Sequence, residues 1–333
     1  NKAQADTARA AIERLVFRDK ITFDVGTFHT ASLLAMLAVT EPNKIPVFGC
    51  TGSDKLLSPQ YKYFVRTYSG AFAMVGGRIL RELRPDIKTA LQIAYDDETG
   101  HAVFKNVARG YKHYGLELFP PLYFKRGETD FSRIATKAVS LNPDYIRGLA
   151  IDLDAEYIQL IKALREAGYK GTFEGSYLTQ KTVDEIVARV GKEGAEGIYV
   201  GFGDPTFTGF GGREIPKAAL DFRKNYENYY GTWETAGLQW VGSWYAWLAA
   251  VRKADSLDPD KVIGAIDKDL DIISPIARGK FFRRPDLGNN RYCDYATATS
   301  GGIIKDGKIV FLWEKDHDYF IETIEAVLGM KVR

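Results

Sequence analysis

The sequence predicts an α/β protein built from two doubly wound parallel-sheet lobes. Three observations carry that expectation. Short apolar runs alternate with amphipathic helical faces along most of the chain, the pattern of parallel strands covered by helices. The alternation is interrupted at Pro120-Pro121 and then resumes. The 333 residues exceed one average domain and suit two.

In the first run, Ala8, Ala11, Ile12, Leu15 and Val16 recur at helical spacing within 6–17. A strand-like run from Ile21 to Val25 ends at Gly26, a helix runs through Leu33–Val39, and Ile45–Phe48 reads as a strand left through Gly49. A helix over 70–84 presents Phe72, Val75, Ile79 and Leu83 on one face. Thr89–Tyr95 reads as a buried strand. The next helix, marked by Val103, Val107, Tyr111 and Tyr114, has Gly115 placed as its cap.

After Pro120-Pro121, Leu122–Phe124 reads as a strand, and Phe131, Ile134, Ala135, Ala138 and Val139 form a helical face stopped by Asn142-Pro143. A strand over Ile146–Ile151 and a helix through Tyr157, Leu160, Ile161 and Leu164 follow, ending at Gly168. Gly171–Glu174 and Gly197–Val200 read as strands. Between them, Thr182 and Glu185 fit a capping box that opens a helix.

The tail departs from this rhythm. It holds an aromatic helix (Trp240, Trp244, Trp247, Leu248), a capped helix over Pro259–Ile266 and strand-like pieces at Tyr292–Ala298 and Ile303–Trp313, with a hairpin turn at Lys305-Asp306-Gly307. Such a tail is too small for a stable third domain, so the lobes must share it. The expected division is 1–118 plus about 232–292 for the first lobe, and 119–231 plus about 293–333 for the second.

Composition removes several function classes. The chain is 45% hydrophobic and 26% charged, enough for a sizeable core. It contains no run of about twenty apolar residues, the length a membrane helix needs. Lys plus Arg number 45 against 43 Asp plus Glu, a net charge of +2, so no nucleic-acid partner is expected. Lys280, Arg283 and Arg284, mixed with Phe281 and Phe282, read as a solvated strand or loop. Cys50 and Cys293 are far apart and there are only 4 His, so no zinc site is expected; whether the cysteines pair stays open. No charged-then-apolar leader opens the chain, so residue 1 reads as a mature, trimmed or engineered start.

No nucleotide-binding glycine motif, Walker A sequence or G-x-S-x-G elbow occurs. Gly201-Phe202-Gly203 and Gly209 to Gly212 lack the third glycine and the helical continuation. His101 beside Asp96, Asp97 and Glu98 reads as an acidic helix start rather than a metal or acid–base cluster. No cofactor is expected, and no catalytic set is complete, so the chain is expected not to be an enzyme.

Two loops are more informative. Gly26-Thr27-Phe28-His29-Thr30-Ala31-Ser32 leaves one strand and opens a helix; Gly49-Cys50-Thr51-Gly52-Ser53-Asp54 leaves the next strand. Ligands of open parallel sheets bind at those carboxyl ends, where helix N-termini favour an anion. Read singly, each loop is a helix cap; read as a pair on neighbouring strands, they form an anion site.

Gly26-x-x-x-Thr30, Ile45-Pro46-Val47 with Thr51-Gly52-Ser53, and Phe64-x-Arg66-Thr67 resemble the type I periplasmic binding proteins of the leucine/isoleucine/valine-binding branch. The same holds for Ala94-Tyr95-Asp96-Asp97 before Gly100, Thr129-Asp130-Phe131, Asn142-Pro143-Asp144, Ala167-Gly168-Tyr169 and Gly194-x-x-Gly197. Each motif is weak alone; their order along most of the chain is specific. The resemblance implies a Venus-flytrap architecture, with two lobes joined by a multi-strand hinge.

It also implies a monomeric solute-binding protein that delivers a small carboxylate to the membrane subunits of an ABC importer. The location would be periplasmic or extracellular, with a lipid anchor in the full-length protein. The alternative is an amide- or amino-acid-responsive sensor of the same fold. By resemblance, Thr30 and Ser53 supply hydroxyls to the ligand carboxylate, and Thr51 and Gly52 offer main-chain N–H groups. Thr99 falls where the family often has a ligand-side Tyr. Asp152, Asp154 and Tyr177 fall on second-lobe loops facing the cleft.

Amino-acid binders of the family carry an acidic residue near the position of Tyr177 to hold the ligand ammonium. Tyr there weakens the case for an α-amino acid unless Asp152 or Asp154 substitutes. The rival ligand is a hydrophobic or aromatic acid clamped by Phe28, His29, Tyr177 and Trp244. Family members also begin with a strand, a ligand-facing loop and a helix before the helix at 6–17, and these are expected to be missing from the numbered chain.

Overall fold

The computed structural model describes residues 4–333 except 150, 152–153, 177, 202–209, 211, 213, 232 and 234–238. The chain opens with α1 (Ala5–Glu13), which runs into a π-turn at Arg14–Arg18. β1 (Asp24–Gly26), α2 (Thr30–Thr40), β2 (Val47–Thr51) and β3 (Phe64–Ser69) follow; the strands pair in parallel in the order β1-β2-β3. The helical stripe of α1 is used as expected: Ala8, Ile12 and Val16 pack on Met36 and Val39 of α2.

α3 (Phe72–Leu83) leads to β4 (Thr89–Tyr95), α4 (Glu98–His113) and two short strands, β5 (Glu117–Leu118) and β6 (Leu122–Phe124), on one edge of β4. Then come α5 (Ser132–Leu141), β7 (Tyr145–Gly148), α6 (Asp154–Glu166), β8 (Thr172–Ser176), α7 (Gln180–Ala195) and β9 (Tyr199–Gly201). Three helices follow: α8 (Lys217–Tyr230), α9 (Gln239–Ala254) and α10 (Pro259–Gly264). An antiparallel sheet of β10 (Asp271–Ile273), β11 (Arg278–Arg284) and β12 (Asn289–Thr297) lies beside β3. β13 (Thr299–Lys305) and β14 (Lys308–Lys315) then extend the larger sheet from β9, and α11 (His317–Leu328) closes the fold.

The larger sheet has 8 strands in the order β14-β13-β9-β8-β7-β4-β5, with β6 also on β4. From β9 to β4 it is parallel, so its strands are covered on both faces and read as apolar runs. Local chemistry sets the ends of the elements. The Asp97 carboxylate accepts from Gly100 N–H at 2.8 Å and starts α4. Asn142 adopts a left-handed conformation (φ 48°) and stops α5. Asp306 and Gly307 both take positive φ (50° and 78°), the conformation a tight β13–β14 hairpin requires.

Several expectations change. Thr89–Tyr95 was expected with the first run, yet β4 pairs with β7 in the larger sheet, so the sheets divide between Ser69 and Thr89 and not at Pro120-Pro121. Periodicity locates strands but cannot say which sheet a parallel strand joins. The cap of α7 is Thr179, whose hydroxyl accepts from Thr182 N–H, rather than Thr182 itself. Arg284 is fully buried, not solvated. Helices α8 and α11 and strands β3, β5 and β10 were not anticipated, and β11 only as a strand or loop.

The chain passes from the smaller sheets to the larger through α3, returns after β9 through α8 and α9, and crosses again between β12 and β13 at buried Ala298. A seam of apolar side chains follows these passages: Phe72, Met74 and Val75 of α3 pack with Phe282, Ala296, Phe320, Ile321 and Ile324. Phe320 stacks on Phe72 with ring centroids 4.2 Å apart.

Candidate functional site

Three helices begin around one cavity of about 40 Å³. Phe28 precedes α2, Gly70, Phe72 and Ala73 open α3, and Thr99 lies in the first turn of α4. Each end carries unpaired N–H groups and the positive pole of its helix dipole, so their convergence favours an anion. Rings of Phe28, Tyr68 and Phe72 wall the space, with Phe28 and Phe72 each within 6.4 Å of Tyr68. Val103, Arg147 and Leu149 close it from the side of the larger sheet.

A chain of hydroxyls reaches this cavity. Thr30 Oγ1 lies 2.8 Å from Thr51 Oγ1 and 3.0 Å from Thr99 Oγ1, and all three residues are buried. Thr99 is the member that lines the cavity. Thr51 Oγ1 also accepts from Ser53 N–H at 3.2 Å. Gly52 lies between, and a Cβ built at Gly70 would meet its carbonyl oxygen at 2.2 Å, so Gly70 is required for the two loops to touch.

Ser53 has a task within the fold beside the one expected. It is fully buried, its hydroxyl donates to Glu98 Oε1 at 3.1 Å and accepts from Lys55 N–H at 3.3 Å, and it does not line the cavity. Glu98 Oε2 in turn pairs with Lys55 Nζ at 2.7 Å. Ser53 therefore caps the short turn Asp54–Leu57 and ties it to the start of α4.

Behind the loop lies a buried ion cluster. Arg66 donates to both Asp294 oxygens (2.8 and 2.6 Å), to Asp54 Oδ1 (2.9 Å), and to the carbonyls of Ser53 (3.2 Å) and Thr51 (3.4 Å). Arg284 makes paired contacts with Asp54 (2.9 and 3.0 Å) and Asp286 (2.8 and 2.9 Å) and reaches Asp294 at 3.2 Å. Burial alone would push the Asp54 carboxyl up; Arg66 and Arg284 overcome it and hold the group well below the usual carboxylate range. Arg66, from the motif Phe64-x-Arg66-Thr67, thus fixes the backbone of the loop that leaves β2.

Of the other expected site residues, His29 is the position before α2 and packs edge-on to Phe28 at 6.2 Å. Asp154 is exposed at the start of α6 and does not line the cavity. Asp152 and Tyr177 lie outside the described residues. Trp244 stands elsewhere, against Phe23 and Trp247. Sequence reasoning missed Tyr68, Phe72, Arg147 and Leu149 at the cavity; the apolar run through Ile146 concealed Arg147.

His101 pairs with Asp96 at 2.9 Å on exposed surface and lies tilted against half-buried Tyr123, and among the described residues no group of three or more His, Cys, Asp or Glu could hold a metal ion. Cys50 and Cys293 are free and buried, with burial pushing their thiols up to about 11 and about 12. Among the described residues, no helix is long and apolar enough to cross a membrane.

The fold has solved relatives. The leucine-binding protein of Thermotoga maritima superimposes with a TM-score of 0.73 at 18% identity, covering 95% of this chain and 85% of that one. An amino acid ABC transporter substrate-binding protein from Pseudomonas fluorescens Pf-5 gives 0.73 at 16%, covering 95% and 83%. An ABC-transporter solute-binding protein from R. palustris, solved in complex with benzoate, gives 0.71 at 16%, covering 95% and 84%. No curated protein matches the sequence significantly. The family model described as periplasmic binding protein matches residues 1–302. With its type I fold of two α/β lobes and a cleft at the strand ends, the chain belongs to the periplasmic binding protein family.

Proposed function

We propose that the protein is the extracytoplasmic solute-binding component of an ABC importer and holds a small carboxylate ligand between its lobes without chemical turnover. One observation carries this reading: three helix N-termini and the Thr51–Thr30–Thr99 hydroxyl chain converge on one aromatic-walled cavity. Hydroxyls and helix ends hold an anion reversibly, as delivery to a transporter requires. The relatives' printed ligands, leucine and benzoate, are both carboxylates.

A cavity of 40 Å³ holds about three waters. A ligand the size of benzoate must therefore enter with the sheets parted, and the sheets then close on it, with the crossing at Ala298 among the hinge segments. Closure is favoured only as far as the ligand contacts the closed form better than the open one. The membrane subunits would read the closed form.

The test is a thermal-shift panel of aliphatic amino acids, aromatic carboxylates, short-chain acids and amides. A ligand at a hundred times its dissociation constant adds about 2.7 kcal/mol to stability. Absence of any shift across the carboxylates would refute the reading. For a carboxylate that binds, Thr30→Ala should weaken affinity by about 1–2 kcal/mol, since it unlinks Thr99 from Thr51. Unchanged affinity by calorimetry would show that the hydroxyl chain takes no part.

A further inference from the structure

In the larger sheet, Gln92, Arg147, Glu174 and Tyr199 stand in register on the neighbouring strands β4, β7, β8 and β9. Their side chains form a polar row across the middle of the sheet, and Gln92 and Arg147 are almost wholly buried. Arg147 is the member that touches the ligand cavity, where it shares the lining with Gly52 and Thr99. It packs against Gly76 of α3, where a Cβ would meet Arg147 Nη1 at 2.4 Å and oblige the guanidinium to shift.

Nε and Nη1 of Arg147 are buried with no hydrogen-bond acceptor. Glu174 Oε2 pairs with Nε at 3.4 Å but outside hydrogen-bond geometry, and burial pushes that carboxyl up to about 8, which weakens it as a counter-charge. A buried guanidinium with unfilled donors is costly, and a carboxylate partner is what relieves the cost. No acidic side chain lines the cavity among its described residues.

Resting on the carboxylate-binding reading above, we infer that Arg147 is the counter-charge of the ligand carboxylate and that the ligand is an amine-free, apolar acid. The geometry supplies one full positive charge, three positive helix ends and aromatic walls. An α-ammonium would meet charge of its own sign, so the site selects against amino acids. The hydroxyl of Thr99, held by Thr30, orients the carboxylate, and Arg147 neutralises it. Beyond Phe72 and Arg147 a second cavity of about 50 Å³ gives an apolar tail room to extend along Val75, Ile79 and Phe320; its one acidic lining residue, Glu174, is the partner of Arg147.

The experiment is calorimetric titration with matched probes: 3-phenylpropanoate, 3-phenylpropanamide and L-phenylalanine, then 4-methylpentanoate and L-leucine, together with benzoate and benzamide. The wild-type protein should bind an acid about thirtyfold or more tighter than its amide and its α-amino counterpart. Arg147→Met should lose that margin while the unliganded protein melts at an unchanged or higher temperature, which a merely structural arginine would not allow. Should Arg147→Met fail to fold, the wild-type comparison of acid, amide and amino acid decides alone. Equal binding of acid and amide, a preference for the amino acid, or an acid affinity untouched in Arg147→Met would overturn the inference and leave the solute-binding reading standing. Failure of every carboxylate to bind would overturn both.

Discussion

Asp294→Ala should cost the fold about 3–5 kcal/mol, the scale for removing one partner from a buried ion cluster. The side chain is completely buried and accepts from both guanidiniums and from Ser69. Its loss leaves Arg66 and Arg284, themselves fully buried, to share Asp54 and Asp286. It also releases the grip of Arg66 on the carbonyls of Thr51 and Ser53, so ligand affinity should fall with stability. Urea unfolding with and without ligand measures both; a loss below about 1 kcal/mol, the scale of an exposed pair, would show that the cluster is not what fixes the loop. The cluster carries an acid signature as well. The Asp54 carboxyl is depressed in the folded protein, so its contribution is complete above the unfolded value near pH 4 and is lost as pH falls through the folded value below it. Between pH 5 and 8 this group should leave stability flat.

Phe320→Ala should be of similar size, about 3–5 kcal/mol, the range for deleting a buried aromatic ring. Phe320 has no exposed surface and stacks on Phe72, which itself lines the ligand cavity. The substitution therefore leaves a void in the seam and frees the ring that forms one wall of the site. Affinity for the ligand should drop together with the urea midpoint. A stability loss with unaltered affinity would mean that Phe72 keeps its place without its neighbour, and that the seam and the site are independent.

The architecture was legible because parallel strands and their helices leave strong periodic signals. Thr89–Tyr95 and Leu122–Phe124 were readable to the residue. Sheet membership was not, since the runs of β3 and β4 look alike and only register tells that β4 pairs with β7. The loops that carry Thr30 and Thr51 were readable from their places at strand ends, and Thr99 from the resemblance alone; that their hydroxyls link to one another was not. The second task of Ser53 was not, because its partner Glu98 is 45 residues away in sequence. Arg147 sat in an apolar run, where one polar residue is easily taken for a strand's solvent face. Arg284 misled in the same way: a basic cluster gives no sign that its counter-ions, Asp54 and Asp294, come from other strands and turns.

The crossing from β12 to β13 has a kinetic consequence. Asp294 fastens β12 to the ligand loop four residues before the passage at Ala298. Beyond it, the β13–β14 register slips between Gly301 and Gly302, where the ladder is irregular. Both ends of the passage are anchored, since β13 is also laddered to β9 at Gly301, Gly302 and Ile303, so bending on closure would fall on the few residues around Ala298. On the proposed solute-binding reading, the rate of capture would be set by diffusion and charge, and the lifetime of the complex by reopening. Variation around Ala298 would then tune how long the cargo is kept, and variation around Asp294 how well it is caught.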